Sequence, residues 1–242
     1  MNIIKITDSN LNKSNIVYLY SVLGSYISDA KGRIDAAIDS GRAVLNLNVG
    51  NFQDETLRSE IEDKVADVIA VSYKYDFFKK RLKTYGLNNL ETELLYSAVI
   101  SADLEEDKRF VIRKIKNSKE YSIDGVYNFR LGALKNKWDE IAGYIPDYFA
   151  ADQLREFITY LIKEKKGRRV YVENGKVYDG RFKRLMRTEL LKSDSDEGKI
   201  IKEVILSGCG EVELSSKIDE TDEFYLKEYF GDNIFLRSGY FS

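Results

Sequence analysis

The stretch Arg169-Val-Tyr-Val-Glu-Asn-Gly-Lys-Val-Tyr-Asp179 places an Asn-Gly pair between two runs of alternating side chains. The favoured two-residue hairpin turn needs positive φ at both central positions, which Asn and Gly tolerate best. We therefore predict a β-hairpin with Asn174 and Gly175 as its turn. The turn length sets the cross-strand pairs, which are Glu173–Lys176, Val172–Val177 and Tyr171–Tyr178.

The predicted hairpin has an apolar face and a polar face, because side chains alternate along a strand. Val170, Val172 and Val177 share the face that is expected to pack on the core. The residues expected on the opposite face are Arg169, Tyr171, Glu173, Lys176 and Tyr178.

Helices and further strands are predicted on both sides of the hairpin. Before it, apolar residues from Leu154 to Ile162 have the spacing of one helix face, and this helix is expected to end near Gly167. After it, we expect a helix over 197–206, a strand over 211–215, a helix from about 220 capped by Asp219, and a strand over 233–237. A strand–helix–strand unit favours a parallel connection.

The N-terminal part predicts the order β-α-β-α. Residues 2–7 (NIIKIT) indicate a first or edge strand, and 42–49 (RAVLNLNV) indicate a second. Between them, Ser14 is a candidate cap for a helix whose apolar face carries Val17, Tyr20, Leu23 and Ile27. A long helix is expected from a cap at Asp54 to about residue 83.

The central part predicts long helices. One is expected from about 90 to 116, and another around Trp138 that Pro146 would end or kink. The intervening stretch 123–131 (IDGVYNFRL) is interpreted as a loop or an extended piece. We therefore predict a mixed α+β fold, with the N-terminal β-α-β-α part over 1–86 and a helical plus C-terminal α/β part over 87–242. A single compact domain is the alternative.

The composition excludes several kinds of chemistry. The 242 residues contain no histidine and a single cysteine, Cys209. Histidine-based nucleophile activation, an intramolecular disulfide and a cysteine-based zinc site within one chain are therefore ruled out. No apolar run approaches the roughly 18 residues of a membrane span, and no signal peptide is visible at the N-terminus. We expect a cytoplasmic protein with no membrane partner.

Positive charge is concentrated around the hairpin. Residues 163–187 contain ten basic and three acidic side chains, a net charge of +7, whereas the whole chain has a formal net charge of −2. Lysine and arginine neutralise phosphates, and tyrosines can stack on exposed bases. The alternative is a solvated sheet face, or a basic middle that lies against acidic ends. The candidate polyanion-binding residues are Lys165, Lys166, Arg168, Arg169, Tyr171, Tyr178, Lys183 and Arg184.

Other candidate sites are weaker. Cys209 follows a predicted helix end, where the helix dipole disfavours a thiolate. Acidic clusters at 103–107, 193–197 and 219–223 could hold a cation, but the last two precede predicted helices and are better explained as capping. Neither phosphate-binding glycine pattern is present. We therefore assign no catalytic, cofactor-binding or metal-binding residue and no cofactor.

The stretch IDGVYNFRL at 123–131 resembles a segment of the YtxC-like family of sporulation proteins from endospore-forming Firmicutes. The order that follows, with DQLREFITYL at 152–161, the hairpin, and IIKEVI at 200–205, also fits the layout of that family. The resemblance is clearest from Ile123 to about Val172. It implies a cytoplasmic protein with a sporulation-associated role, but no activity and no functional residues.

Three hypotheses about function remain open at this point. The first is a non-enzymatic binding or regulatory protein of the cytoplasm with a protein partner. The second is a nucleic-acid-binding protein that uses the basic region 163–187. The third is an enzyme that depends on carboxylates or a metal. Lysines and arginines clustered on one exposed face would favour the second hypothesis.

Overall fold

The structure is a computed structural model that describes residues 2–50, 55–116, 118, 120–165, 167–193 and 195–237. The predicted cap Asp54 and the candidate residue Lys166 lie outside these ranges. The strands in chain order are β1 (Asn2–Ser9), β2 (Arg33–Asp39), β3 (Arg42–Val49), β4 (Glu120–Ser122), β5 (Arg169–Glu173), β6 (Lys176–Tyr178), β7 (Glu211–Leu214) and β8 (Ile234–Leu236).

The α-helices in chain order are α1 (Lys13–Asp29), α2 (Glu55–Asp67), α3 (Lys74–Arg81), α4 (Asn89–Ala102), α5 (Leu104–Ile115), α6 (Ile123–Arg130), α7 (Gly132–Tyr144), α8 (Ala151–Glu164), α9 (Lys199–Ser207) and α10 (Glu220–Phe230). A π-helical segment, Val68–Tyr73, continues α2 into α3. The predicted mixed α+β fold class is confirmed.

The chain divides into two compact units, each built from two segments. Unit 1 comprises Met1–Phe77 and Leu104–Ile141, and unit 2 comprises Phe78–Asp103 and Ala142–Ser242.

Unit 1 is organised around a four-stranded sheet in the order β2-β3-β1-β4. β1 is antiparallel to β3 and parallel to β4. The pairs Ile4–Leu47 and Ile6–Leu45 are fully buried and form the centre of the core. Helices α1 and α2 pack against each other, and α1 also packs on the sheet. One face of this sheet is therefore covered by helices.

A buried carboxylate ties three elements of unit 1 together. Asp8, near the end of β1, accepts hydrogen bonds from Tyr73 Oη at 2.6 Å and from Asn15 Nδ2 at 2.8 Å. Burial raises the pKa of Asp8, and these donors oppose that effect. Asp8 therefore fixes α1 and the π-helical segment against the C-terminal end of β1.

Unit 2 contains the predicted hairpin in a sheet with the order β6-β5-β7-β8. The predicted register is confirmed, with Tyr171 opposite Tyr178 and Glu173 opposite Lys176. β5, β7 and β8 are mutually parallel, as expected for the strand–helix–strand unit. Val170, Val172 and Val177 are buried, and α9 packs against β5 and β6. The apolar face of the hairpin therefore joins the core, as predicted.

One expectation about the N-terminal part is wrong, and a second is correct only in part. Residues 33–39 form the strand β2, which pairs with β3 through a turn at Ser40 and Gly41, both at positive φ. β2 lies at the edge of the sheet and most of its residues are exposed, so it lacks the apolar alternation that marks a half-buried strand. Helix α1 buries Ile16 and Leu19. Of the predicted face residues, Leu23 and Ile27 are buried as expected, whereas Val17 and Tyr20 are exposed.

Two expectations about the central part are also wrong. The predicted long helix over 90–116 is two helices, because the backbone at Asp103 leaves the helical conformation. The second helix, α5, then begins with acidic residues in its first turn, where they favour the helix dipole. Residues 123–130 form the helix α6, which buries Ile123 and Val126 one turn apart. A Cβ at Gly125 would lie 2.8 Å from Ser122 Oγ, so a larger residue there would require the Ser122 side chain to move.

The start of α9 is held by a buried carboxylate whose protonation should make unit 2 sensitive to pH. Asp222 accepts a hydrogen bond from Ile201 N at 2.7 Å. Burial, and after it the hydrogen bond shared with Asp219, raises the pKa of Asp222 to about 7. In the unfolded chain this proton is lost near the ordinary aspartate pKa of 3.8, whereas the folded chain retains it until about 7. Stability is therefore lost as the pH rises from the lower value to the higher one.

We expect Asp222→Asn to remove this loss. Asparagine mimics the protonated acid, so the variant should gain on the order of 2 kcal/mol over the original chain at pH 8 and little at pH 4. The measurement is the free energy of unfolding across this pH range. Asp232→Asn, at an exposed position of the same unit, is the matched control. A parallel pH profile for Asp222→Asn and the original chain would contradict the assignment.

Candidate nucleic-acid interface

The polar face of the hairpin is extended by the segment that follows β6. Leu185 N donates a hydrogen bond to Val177 O at 2.8 Å, and the backbones of Arg184 and Tyr178 form an isolated antiparallel β-bridge. Residues directly opposite one another project from the same face of a sheet. Arg184, Tyr178 and Tyr171 therefore form one row across this face. We call this row, together with Lys176 and the loop 179–183, the hairpin surface.

The loop 179–183 is held by its own first residue. Asp179 Oδ1 accepts hydrogen bonds from Arg181 N at 2.8 Å and from Lys183 N at 2.9 Å. Asp179 N donates to Lys183 O, and Phe182 N donates to Asp179 O, both at 2.9 Å. These four bonds close a tight turn and fix the position of Phe182.

Phe182 adopts a conformation that a bulky residue rarely takes. Its φ is +57°, in the left-handed region that favours glycine, and such a conformation costs on the order of 1–3 kcal/mol. Its ring stacks on Tyr171 with 4.5 Å between ring centroids and an interplanar angle of 21°. Phe182 is nevertheless 61% exposed. The turn therefore holds a large aromatic ring in solvent, with one face supported by Tyr171.

Exposed cations share the hairpin surface with this ring. Lys176, Arg181, Lys183 and Arg184 are all exposed. Within the part of the chain that the structure describes, Lys176, Arg181 and Arg184 have no ion-pair partner. Positive charge that is not neutralised by the protein remains available to phosphates.

Arg169, by contrast, is already engaged. Its guanidinium bonds to Glu211 at 2.8 Å and to Glu213 at 3.2 Å, and it lies 4.4 Å from the ring centroid of Phe235. The hydrogen bond to Glu211 is the main reason why the pKa of Arg169 is raised. Arg169 therefore neutralises glutamate charge on β7 and adds little free positive charge to the hairpin surface.

The segment beyond the hairpin surface is anchored to α9. Glu203 is buried and accepts hydrogen bonds from Arg187 N at 2.9 Å and from Thr188 N and Oγ1, both at 2.7 Å. Burial raises the pKa of Glu203, and the Thr188 and Arg187 donors counteract this. This anchor fixes the segment that directly follows the hairpin surface against α9.

The structure brings together only part of the predicted set. Tyr171, Tyr178, Lys183 and Arg184 lie at the hairpin surface. Arg168 is exposed and Lys165 half-buried near the start of β5. Phe182 was missed because exposed aromatic side chains in turns have no sequence pattern. The Asp-Gly pair at 179–180 was its only signal, since such a pair indicates a tight turn.

The remaining candidates offer less. Cys209 is buried, and desolvation raises the pKa of its thiol to about 12, so it is not a reactive nucleophile at neutral pH. Asp219 caps α10, as predicted, by accepting from Asp222 N at 2.9 Å. Among the described residues, no group of three or more Cys, Asp or Glu side chains is placed to hold a metal ion. No helix in these ranges is long and apolar enough to cross a membrane.

One cavity in unit 2 contains a nearly buried lysine. It has a volume of about 310 Å³, and its lining includes Lys202, Glu93 and Tyr96. Burial lowers the pKa of Lys202, whose Nζ donates to Ser195 O at 3.1 Å. This hydrogen bond gives Lys202 a structural role next to the start of α9.

The chain matches no protein-family model, no curated protein and no solved structure. The resemblance to the YtxC-like family, and the sporulation-associated role that it implies, therefore stay predictions from the sequence.

Proposed function

We propose that this chain is a non-enzymatic, cytoplasmic binding protein that holds a nucleic acid on the hairpin surface of unit 2. The observation that supports the proposal best is the exposed Phe182 ring, which is fixed on Tyr171. It shares the hairpin surface with Lys176, Arg181 and Arg184, which have no ion-pair partner among the described residues. Proteins that bind nucleic acids without sequence preference combine these two features, an aromatic platform and a positively charged track. The alternative is a protein that binds another protein, with the sporulation-associated role that the resemblance to the YtxC-like family implies.

The charge around the hairpin explains how an acidic chain could bind a polyanion. The formal net charge of −2 gives no long-range attraction, so binding depends on the local excess of Lys176, Arg181, Lys183 and Arg184. Each phosphate that a lysine or arginine neutralises releases condensed counterions, and affinity then falls as salt rises.

The proposal is tested by the binding of fluorescent oligonucleotides over a salt series. With about three phosphates neutralised, raising salt from about 50 to about 200 mM should weaken binding to a single strand by about 20-fold. The measurement is fluorescence anisotropy of the intact chain. Absence of binding at the lowest salt, or an affinity that does not depend on salt, would overturn the proposal and favour the protein partner.

A further inference from the structure

The hairpin surface carries three aromatic rings, Tyr171, Tyr178 and Phe182, and the two that stack on each other are not equivalent. Tyr171 is half-buried and has Phe182 stacked against it, so its face is not free. Phe182 is 61% exposed, although one of its faces already lies on Tyr171. The exposed area therefore belongs to its other face and its edges. Phe182, and not Tyr171, is the ring that an incoming base would meet.

The loop holds this ring in place at a cost. A left-handed φ is unfavourable for phenylalanine, and the bonds to Asp179 maintain it. The ring does not gain burial in return, since it stays mostly in solvent. A conformation that costs free energy and exposes an apolar ring is typical of a binding position.

Stacking on this ring requires a base with a free face. In a duplex, base faces are covered by neighbouring base pairs, and only phosphates, sugars and groove edges are accessible. In a single strand, every base can present a face, and stacking on an aromatic side chain is tolerant of base identity. The flanking cations can contact phosphates in either case.

We propose that Phe182 stacks on an unpaired base, so that the hairpin surface selects single-stranded over double-stranded nucleic acid. This inference rests on the nucleic-acid-binding function proposed above. Lys176, Arg181 and Arg184 supply the charge that both kinds of ligand share, whereas the ring supplies the difference between them.

The experiment compares the intact chain with Phe182→Ala and Phe182→Trp. The probes are an oligothymidylate, an oligouridylate, an abasic strand with the same number of phosphates, and a duplex of the same length. We expect the intact chain to bind both oligonucleotides more tightly than the abasic strand or the duplex. Phe182→Ala should lose about 5- to 160-fold in affinity for the two oligonucleotides and little for the abasic strand and the duplex. Phe182→Trp should retain the preference.

The outcomes separate this inference from the function on which it rests. Salt-dependent binding that is equal for single strands, abasic strand and duplex, and that Phe182→Ala leaves unchanged, would overturn the role of Phe182 alone. A lack of binding to any probe would overturn both proposals. A preference for only one of the two oligonucleotides would keep the stacking role and identify the ligand as DNA or RNA. Circular dichroism of each variant checks that it is folded, as expected for an exposed position.

Discussion

Asp107→Ala should lower the free energy of unfolding of unit 1 by about 3–5 kcal/mol, the typical cost of breaking a buried ion pair. Asp107 Oδ2 lies 2.7 Å from Lys74 Nζ, and both side chains are fully buried. The same oxygen accepts a hydrogen bond from Trp138 Nε1 at 2.9 Å. Removing the carboxylate leaves a buried ammonium without this counter-charge and a buried indole N–H without this acceptor.

The measurement is denaturant unfolding followed by tryptophan fluorescence. Trp138 is the single tryptophan of the chain and belongs to unit 1, so its signal reports on this unit. Glu105→Ala, at an exposed position in the first turn of the same helix, is the matched control and should change stability by about 0.5 kcal/mol or less. The free energy of unfolding of Asp107→Asn should lie between those of Asp107→Ala and Glu105→Ala, because the amide keeps a hydrogen-bond acceptor but loses the charge. Equal stabilities for Asp107→Ala and Glu105→Ala would show that the pair does not support the core.

Reversing three charges at the hairpin surface should have the largest effect on binding. The variant Lys176→Glu, Arg181→Glu, Arg184→Glu removes three cations and adds three anions around the stacked rings. We expect its affinity for a single strand at low salt to fall by about 100-fold or more, and the dependence of its residual binding on salt to flatten. The three positions are exposed, so the variant should remain folded.

The matched control reverses three lysines elsewhere. Lys13, Lys80 and Lys217 are exposed and lie outside the hairpin surface, and changing all three to glutamate alters the net charge of the chain by the same amount. This control should bind within a few-fold of the original chain. Equal losses in the two variants would mean that net charge, and not the hairpin surface, determines binding.

Local sequence patterns predicted the elements whose conformation is determined by adjacent residues. The Asn-Gly turn set the hairpin and its register because both turn positions have positive φ, at 49° for Asn174 and 70° for Gly175. The strand β2 was missed because an exposed edge strand carries little apolar alternation. The face of helix α1 was predicted correctly only in its second half, where Leu23 and Ile27 are buried. In the first half Ile16 and Leu19 are buried in place of Val17 and Tyr20, which have the same spacing. Tertiary packing selects between such faces, and the helix sequence alone does not.

The candidate site was only partly predictable for a similar reason. A basic region and its two tyrosines are visible in the sequence. That Arg169 is neutralised depends on Glu211 and Glu213, which the parallel strand β7 brings alongside from about 40 residues further on. That Phe182 covers Tyr171 depends on the turn after β6 folding back over the sheet. Both facts arise from contacts between segments, which no local pattern contains.

The most direct test of nucleic-acid binding at the hairpin surface is to identify the residue that contacts the bound strand. A photoreactive oligouridylate containing 4-thiouridine is bound to the intact chain and cross-linked to it with long-wavelength light. The cross-linked protein is then digested with a protease that cleaves after glutamate. Cleavage at Glu173 and Glu189 releases the segment 174–189, which contains no other glutamate. If Phe182 stacks on a base, mass spectrometry should find the cross-link in this segment, at Phe182. A cross-link confined to other segments of a chain that binds the strand would contradict binding at the hairpin surface.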